Sequence, residues 1–418
     1  MTETMAKPVM TKPWSWPLYQ QILLAIVLAG LAGVFIGPWE GFGFIGKLFL
    51  NALKMLIVPL IVASIITGVM GIGTPQALGR LGGKTLLYYL TTTTFAVVVG
   101  LLFVNLLNPG GFAPTPPEAI DPTFAAKVEG RGAGDIMEIF LRMLPTNIVA
   151  AAANGEMLGL ITFSLLFGAM ILSLPDALKA GQQNFWQGVS EVMVRMTNLV
   201  MRFAPIGVFG LVAKVVADTG FSQFAALAVF TSVVLLALFT HTFITMPVLL
   251  KLVGGVNPIK HFRAMSPALL TAFSTSSSAS TLPVTMECVN ERGGVSRNTT
   301  SFVLPLGATV NMDGTALYEC VVVIFVAQLY GIDLSFAQQL SVVILSLLTS
   351  IGVAGIPSAS LVAISVILGS LGLPLEGVGL ILVVDRVLDM CRTAVNVFSD
   401  SCGAVIIARK EGEETNLV

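Results

Sequence analysis

The chain has 418 residues, 55% of them hydrophobic and only 11% charged, with a formal net charge of −1. That balance excludes a water-soluble enzyme and a nucleic-acid binder, which would need a polar surface or a basic face, and points to a multi-span helical membrane protein. Four cysteines with no CxxC-type pair read as packing residues, and the two histidines, His241 and His261, have no carboxylate or cysteine neighbours at ligand spacing, so neither disulfides nor a catalytic metal centre is expected.

In chain order, Lys7, Lys12, Trp14 and Trp16 form a basic, aromatic flank suited to the cytoplasmic interface. No cleavable signal peptide is expected, because the first apolar run continues as a full span. Apolar runs cover 18–36, 44–69, 86–107, 136–174 (interrupted near Asn154 and Gly155), 192–216 and 224–252, about six spans. The polar, Pro-rich stretch 108–134 reads as an exposed loop. With the N-terminus inside, Arg80, Lys84, Lys179, Lys251, Lys260, Arg263, Arg409 and Lys410 fall on the inner side. The opposite loops hold mostly acids (Asp218, Asp333, Glu376), with Lys127 and Arg131 in the long one. This satisfies the positive-inside rule only if segments 257–292 and 334–370 each enter and leave on one side.

Both segments read as re-entrant hairpins. The first turns at a serine-rich centre, 274–281, too polar to face lipid, and the second breaks at 352–360, where Gly352, Gly355 and Pro357 prevent continuous helix. Irregular backbone at membrane depth is tolerated only inside protein or along a wet cavity. Between them, 299–329 is an apolar helix interrupted by Asn311, Met312, Asp313, Gly314 and Thr315. The order is hairpin, broken helix, hairpin and charged helix, and duplicated units of that kind mark secondary transporters. Asn298-Thr299-Thr300 has the form of a glycosylation acceptor but lies on the inner side in this topology and carries no weight.

The last helix holds the strongest signal. Asp385, Asp389, Arg392, Asn396 and Asp400 fall on a stripe under about 90° wide, opposite Val387, Cys391, Ala394 and Phe398. Each charge at mid-bilayer costs roughly 2.5–3.5 kcal/mol, so the four ionisable groups would cost about 10–14 kcal/mol unpaired. A purely structural ion-pair network is the plain alternative, but intramembrane charges mark ion or substrate pathways.

NMDGT at 311–315, the serine-rich tip before Leu282-Pro283-Val284-Thr285, the SIGVAGIP turn from Ser350 and the D-x-x-x-D-x-x-R-T-x-x-N-V run from Asp385 resemble the glutamate/aspartate:cation symporter family, the dicarboxylate and amino acid:cation symporters that include the excitatory amino acid transporters. The similarity runs over nearly the whole chain, from ALKMLIVPL in the second span to the tail, and the resemblance is to a bacterial member of the family. The resemblance implies that Arg392 offers a planar fork to a side-chain carboxylate and Asp389 pairs the ammonium, with Thr393 and Asn396 adding hydrogen bonds. It places Thr315, Ile356 and Ser360 at the substrate, and the α-carboxylate against backbone N–H groups near Ser277 and Ser278. The sodium sites it implies use Tyr89, Thr92, Thr93, Asn311 and Asp313; Gly307, Asn311, Asn396 and Asp400; and carbonyls of Thr309, Ser350, Ile351 and Val353. Glu319 stands where proton-coupled relatives have their protonatable glutamate, and burial favours a protonated carboxyl. The chain has Ser276 where an archaeal relative places an arginine and Met390 where animal transporters place it, which leaves Arg386 as the local substitute. Ser360 replaces a usual glycine.

The expected fold is all-α and polytopic: about eight transmembrane helices and two re-entrant helical hairpins in inverted repeats. Residues 1–77 and 129–220 would form the scaffold and trimer contacts. Residues 78–128 and 221–418 would form the transport domain, with hairpin 257–292, broken helix 297–329, hairpin 334–370 and charged helix 375–410. The expected activity is not enzymatic: symport of L-glutamate or L-aspartate with Na⁺, and with H⁺ as a further candidate ion, by an elevator motion of a homotrimer in the bacterial inner membrane, both termini cytoplasmic. A C4-dicarboxylate symporter, a neutral amino-acid transporter of the same fold and an ion channel are the alternatives. A membrane-embedded hydrolase lacks a nucleophile-plus-base set.

Overall fold

The computed structural model describes residues 18–70, 81–113, 141, 144–154, 157–219, 223–352 and 360–417, and every described element is helical. The N-terminal flank, Arg80, most of the 108–134 loop and the centre of the expected second hairpin, with Val353 and Ile356, lie outside them. The helices are α1 (Leu18–Ile36), α2 (Glu40–Met70), α3 (Gly83–Leu107), α4 (Ile148–Asn154), α5 (Met157–Leu172), α6 (Asp176–Arg202), α7 (Ala204–Thr219), α8 (Gln223–Thr240), α9 (Met246–Leu252), α10 (Pro258–Thr275), α11 (Ser278–Glu287), α12 (Arg297–Val310), α13 (Asp313–Leu329), α14 (Phe336–Gly352), α15 (Ser360–Leu371) and α16 (Gly377–Lys410).

Among the described residues three helical runs are long and apolar enough to cross a bilayer: Gly83–Phe112, Phe224–Leu252 and Arg297–Leu329. One expected span is corrected. The run 192–216 straddles α6 and α7, which meet at a 51° bend, and Lys179 sits in the first turns of α6 rather than in a loop. The apolar side of α6, with Trp186, Val189 and Met193, packs toward α2 and α5 while Gln187 is exposed. That amphipathic period of 3.6 extends the helix beyond the apolar window alone.

Two groups of helices emerge from the packing. Helices α1, α2, α5, α6 and α7 pack on one another, and α3, α8 and α10–α13 gather with α16. α13 is the axis of the second group, with every residue from Asp313 to Ala327 buried. Apolar side chains exposed on the outer faces, such as Phe35, Phe44, Leu48, Leu87 and Leu106, suit hydrocarbon.

Serines shape the break between α10 and α11. Ser276 ends α10 in the left-handed region at φ 51°, its N–H donating to Ala272 O (2.9 Å). Ser277 then caps α11 by accepting from the N–H of Ser280 (3.2 Å). α12 and α13 are interrupted only at Asn311 and Met312, a narrower break than the five residues expected. The first turn of α13 is capped from another helix: Asn396 Oδ1 of α16 accepts from Gly314 N (2.8 Å) and Thr315 N (3.4 Å). Gly314 is required there, since a Cβ would lie 2.6 Å from Arg392 O.

After α16 the tail forms a strap. Leu417 is buried, and its carbonyl accepts from Asn257 N at the start of α10 (2.8 Å), while Asn416 N donates to Gly293 O (3.0 Å). Lys84 of α3 pairs with Glu411 at 2.6 Å. Glu413 accepts from Ser296 N (2.8 Å), Ser296 Oγ (2.7 Å) and Thr299 Oγ1 (2.5 Å) at the N-terminus of α12. Partial burial alone would raise the Glu413 pKa, but donation by Thr299 and by the backbone and hydroxyl of Ser296 outweighs it, and the net shift is downward. A depressed carboxyl contributes stability that is complete above its ordinary value near 4.5 and is lost as the pH falls through the lowered one. Glu413→Ala is therefore expected to cost about 1 kcal/mol locally, seen as roughly fivefold faster amide exchange over residues 296–299 at pH 7. Unchanged exchange there would show the carboxylate to be idle.

Candidate functional site

The charged stripe of α16 faces inward against α13. Asp385, Asp389, Arg392, Thr393, Asn396 and Asp400 are all buried. Arg392 Nε donates to Asp389 Oδ1 (3.0 Å) and Nη1 to Asp385 Oδ1 (3.1 Å). Nη2 lies 2.8 Å from Asp389 Oδ1 but makes no aligned hydrogen bond. The guanidinium stacks 4.2 Å over the ring of Tyr318, whose hydroxyl donates to Asp385 (2.9 Å). Arg386 approaches Asp389 from the half-buried side at 3.5 Å. Arg392 thus pairs with Asp389 and Asp385 while its Nη2 is left without an aligned acceptor among the described residues. Desolvated charges of opposite sign one turn apart have no better partner.

Asp385 and Tyr318 were not among the expected site residues. Asp385 was visible on the stripe, but nothing local paired it with a tyrosine 67 positions earlier. Thr315 accepts from Asn396 Nδ2 of α16 (3.0 Å), and Ser277 and Ser278 are buried at the start of α11, a helix that packs on α16. Ser360 opens α15, buried, with no partner for its hydroxyl among the described residues.

A second cluster gathers two helical turns further along α16. Asp313 Oδ1 accepts from Thr93 Oγ1 (2.7 Å) and Thr92 Oγ1 (3.4 Å). Its Oδ2 accepts from Ser399 Oγ (2.6 Å) and meets His241 Nε2 (3.1 Å). Asn311 Nδ2 donates to Ser399 Oγ (3.0 Å) and Asp400 Oδ1 (2.9 Å), and its Oδ1 lies 3.2 Å from Thr92 Oγ1, whose single proton it shares as an alternative acceptor with Asp313 Oδ1. Tyr89 donates to Val303 O (2.6 Å). Gly307 makes room for all of this: a Cβ would stand 2.5 Å from Asp400 Oδ1 and 2.7 Å from the Tyr89 hydroxyl.

The oxygens of Thr92, Thr93, Asn311, Asp313 and Asp400 thus meet without any lysine or arginine in the cluster, a donor set that fits a hard monovalent cation. Of the third expected set, Ser350 and Ile351 end α14 and Thr309 lies in the last turn of α12, its hydroxyl bonded to Leu306 O (3.0 Å). His241 corrects the sequence argument: it does have a carboxylate neighbour, Asp313, although 72 positions separate them. The ring of His261 bonds Ser401 (3.0 Å) and packs near Phe398, as a core histidine would.

Glu319, fully buried on α13, accepts from Thr349 Oγ1 of α14 through Oε2 (2.7 Å), while Oε1 has no partner among the described residues. All four cysteines are free, and Cys288, Cys320 and Cys402 are buried.

Long apolar helices closed around two buried polar clusters define a multi-pass helical membrane protein of the transporter class. The chain belongs to the Sodium:dicarboxylate symporter family, whose pattern matches residues 18–410. It is 38% identical over 407 residues to a proton/glutamate-aspartate symporter of Escherichia coli, covering 94% of this chain and 92% of that one. It is 35% identical to a proton/sodium-glutamate symport protein of Geobacillus stearothermophilus, covering 96% and 94%. It is also 35% identical to excitatory amino acid transporter 3 of the mouse, covering 94% and 84%.

Proposed function

We propose that this protein takes up L-glutamate or L-aspartate by symport with Na⁺, and with H⁺ through Glu319. The observation that carries the proposal is the unspent side of Arg392 beside Asp389. A zwitterionic diacid exchanges one buried ion pair for two: its side-chain carboxylate takes the guanidinium, and its ammonium takes Asp389. The tip of α11 offers N–H groups to the second carboxylate.

Charge balance supplies the coupling. When ionised, Asp313, Asp385, Asp389 and Asp400 outnumber Arg392 and the half-buried Arg386, and an acidic amino acid adds one more net negative charge. Moving that excess through hydrocarbon is prohibitive unless cations travel with it. Na⁺ would be held by Thr92, Thr93, Asn311 and Asp313, with Tyr89 beside them. A second ion would be held by Asp400, Asn311, Asn396 and the backbone at Gly307, and a third by carbonyls of Thr309, Ser350, Ile351 and Val353. The site's own residues bind, orient and exclude water; no bond is made or broken.

The packing of α1, α2 and α5–α7 on one another, with contacts from α7 to α16 and from α2 to α14 and α15, is compatible with a scaffold of residues 1–77 and 129–220 beside a moving unit of 78–128 and 221–418. On that division the unit slides as an elevator within a homotrimer of the bacterial inner membrane. The pairs α10–α11 and α14–α15 are its two re-entrant hairpins, the second one, with Ile356 and Ser360, acting as gate, and both termini are cytoplasmic.

Purified protein in proteoliposomes, given labelled aspartate, glutamate and succinate under separate Na⁺ and pH gradients, tests this. Saturable aspartate and glutamate uptake driven by Na⁺, with succinate poorly carried, is expected, and Glu319→Gln should remove the part driven by pH. Equal succinate uptake would favour a dicarboxylate carrier, and flux that does not saturate would favour a channel.

A further inference from the structure

His241 takes no part in the proposed substrate contacts, yet its ring is wholly enclosed. It opens a π-turn, His241–Thr245, set between α8 and α9 and packed against α3 and α16. A π-turn inside a helical run shifts the register of the side chains that follow, and such turns concentrate at functional sites. Here the shift accompanies the placing of Nε2 3.1 Å from Asp313 Oδ2. An ionised carboxylate only accepts hydrogen bonds, so the ring must carry its proton on Nε2. Nδ1 has no partner among the described residues, which leaves Nε2 as the nitrogen that engages the protein.

The partners of Asp313 divide cleanly. Oδ2 is taken by His241 and Ser399, and Oδ1 is directed to Thr93 and Thr92. The terminal torsion of an aspartate is a broad, two-fold well, so the carboxylate has no intrinsic preference for this orientation. A donor locked in the core supplies one.

We infer that His241 is a positioning residue for the cation cluster: its Nε2–H holds Asp313 so that Oδ1 faces Thr92, Thr93 and Asn311 as a ready-made oxygen cage. The inference rests on the proposed sodium site at Asp313. The role belongs to the hydrogen bond and not to a change in the charge of the ring. Partners that orient a metal ligand are worth about 10–100-fold in affinity.

The test reads ion binding without transport. Purified full-length protein, without amino-acid substrate, is melted over a series of Na⁺ concentrations with choline holding ionic strength constant, since a ligand that binds only the folded state raises the melting temperature. His241→Gln places an amide N–H at the reach of Nε2, and His241→Asn places one only at the reach of Nδ1. The glutamine variant should match the parent within about threefold in half-maximal Na⁺, while the asparagine and alanine variants should need about 10–100-fold more. A normal Na⁺ response in the alanine variant, or a glutamine variant as damaged as alanine, overturns the inference while the sodium site stands. A parent protein that Na⁺ fails to stabilise overturns both.

Discussion

Arg392→Ala is expected to abolish acidic amino-acid uptake, with a loss of at least about 10²–10³-fold in transport efficiency. Removing one partner of a desolvated, hydrogen-bonded charge pair costs about 2–5 kcal/mol or more, and tenfold corresponds to about 1.4 kcal/mol. The loss is specific because Arg392 is fully buried, stacked on Tyr318 and already oriented by Asp385, whereas Arg386 is half-buried and approaches only Asp389, at 3.5 Å. The replacement also strands Asp385 and leaves Asp389 only the longer approach of Arg386 at 3.5 Å, and a buried charge left without a counter-charge destabilises by about 3–5 kcal/mol. Arg392→Lys separates the two effects: an ammonium still neutralises the aspartates but lacks the planar fork, so the protein should keep its Na⁺-dependent melting shift and still lose acidic substrate. Labelled aspartate uptake with an unchanged KM in either variant would remove Arg392 from the substrate site.

Asp313→Asn should have the next largest effect, on the ion and not on the amino acid. At an effective dielectric of about 20, a unit charge about 4 Å from a cation contributes about 4 kcal/mol, or roughly 10³-fold in affinity. The change to an amide has a second cost, since it introduces N–H donors where Thr93, Ser399 and His241 already donate. Half-maximal Na⁺ for aspartate binding, followed by calorimetry at rising Na⁺, should move out of the accessible range. Unchanged Na⁺ dependence would show that the ion sits elsewhere.

Much of this was legible in the chain. The spacing Asp385, Asp389, Arg392, Asn396, Asp400 places one polar face on one helix, and α16 runs over Gly377–Lys410, close to the expected 375–410. The Asn311-Met312 break, the serine-driven turn at Ser276 and the family motifs were equally local. Each depends on residues within a turn or two, where period and turn chemistry act directly.

What the structure added connects distant helices. His241 finds Asp313, Tyr318 finds Asp385, Asn396 caps α13, and Glu319 finds Thr349. A sequence read by spacing pairs His241 with nothing, because its carboxylate lies on another helix. The amino-acid order alone determined which helices carry polar faces and where they break. Only the tertiary packing decided which faces meet, because that choice is set by how bulky side chains and small residues such as Gly307 and Gly314 let the helices close on one another.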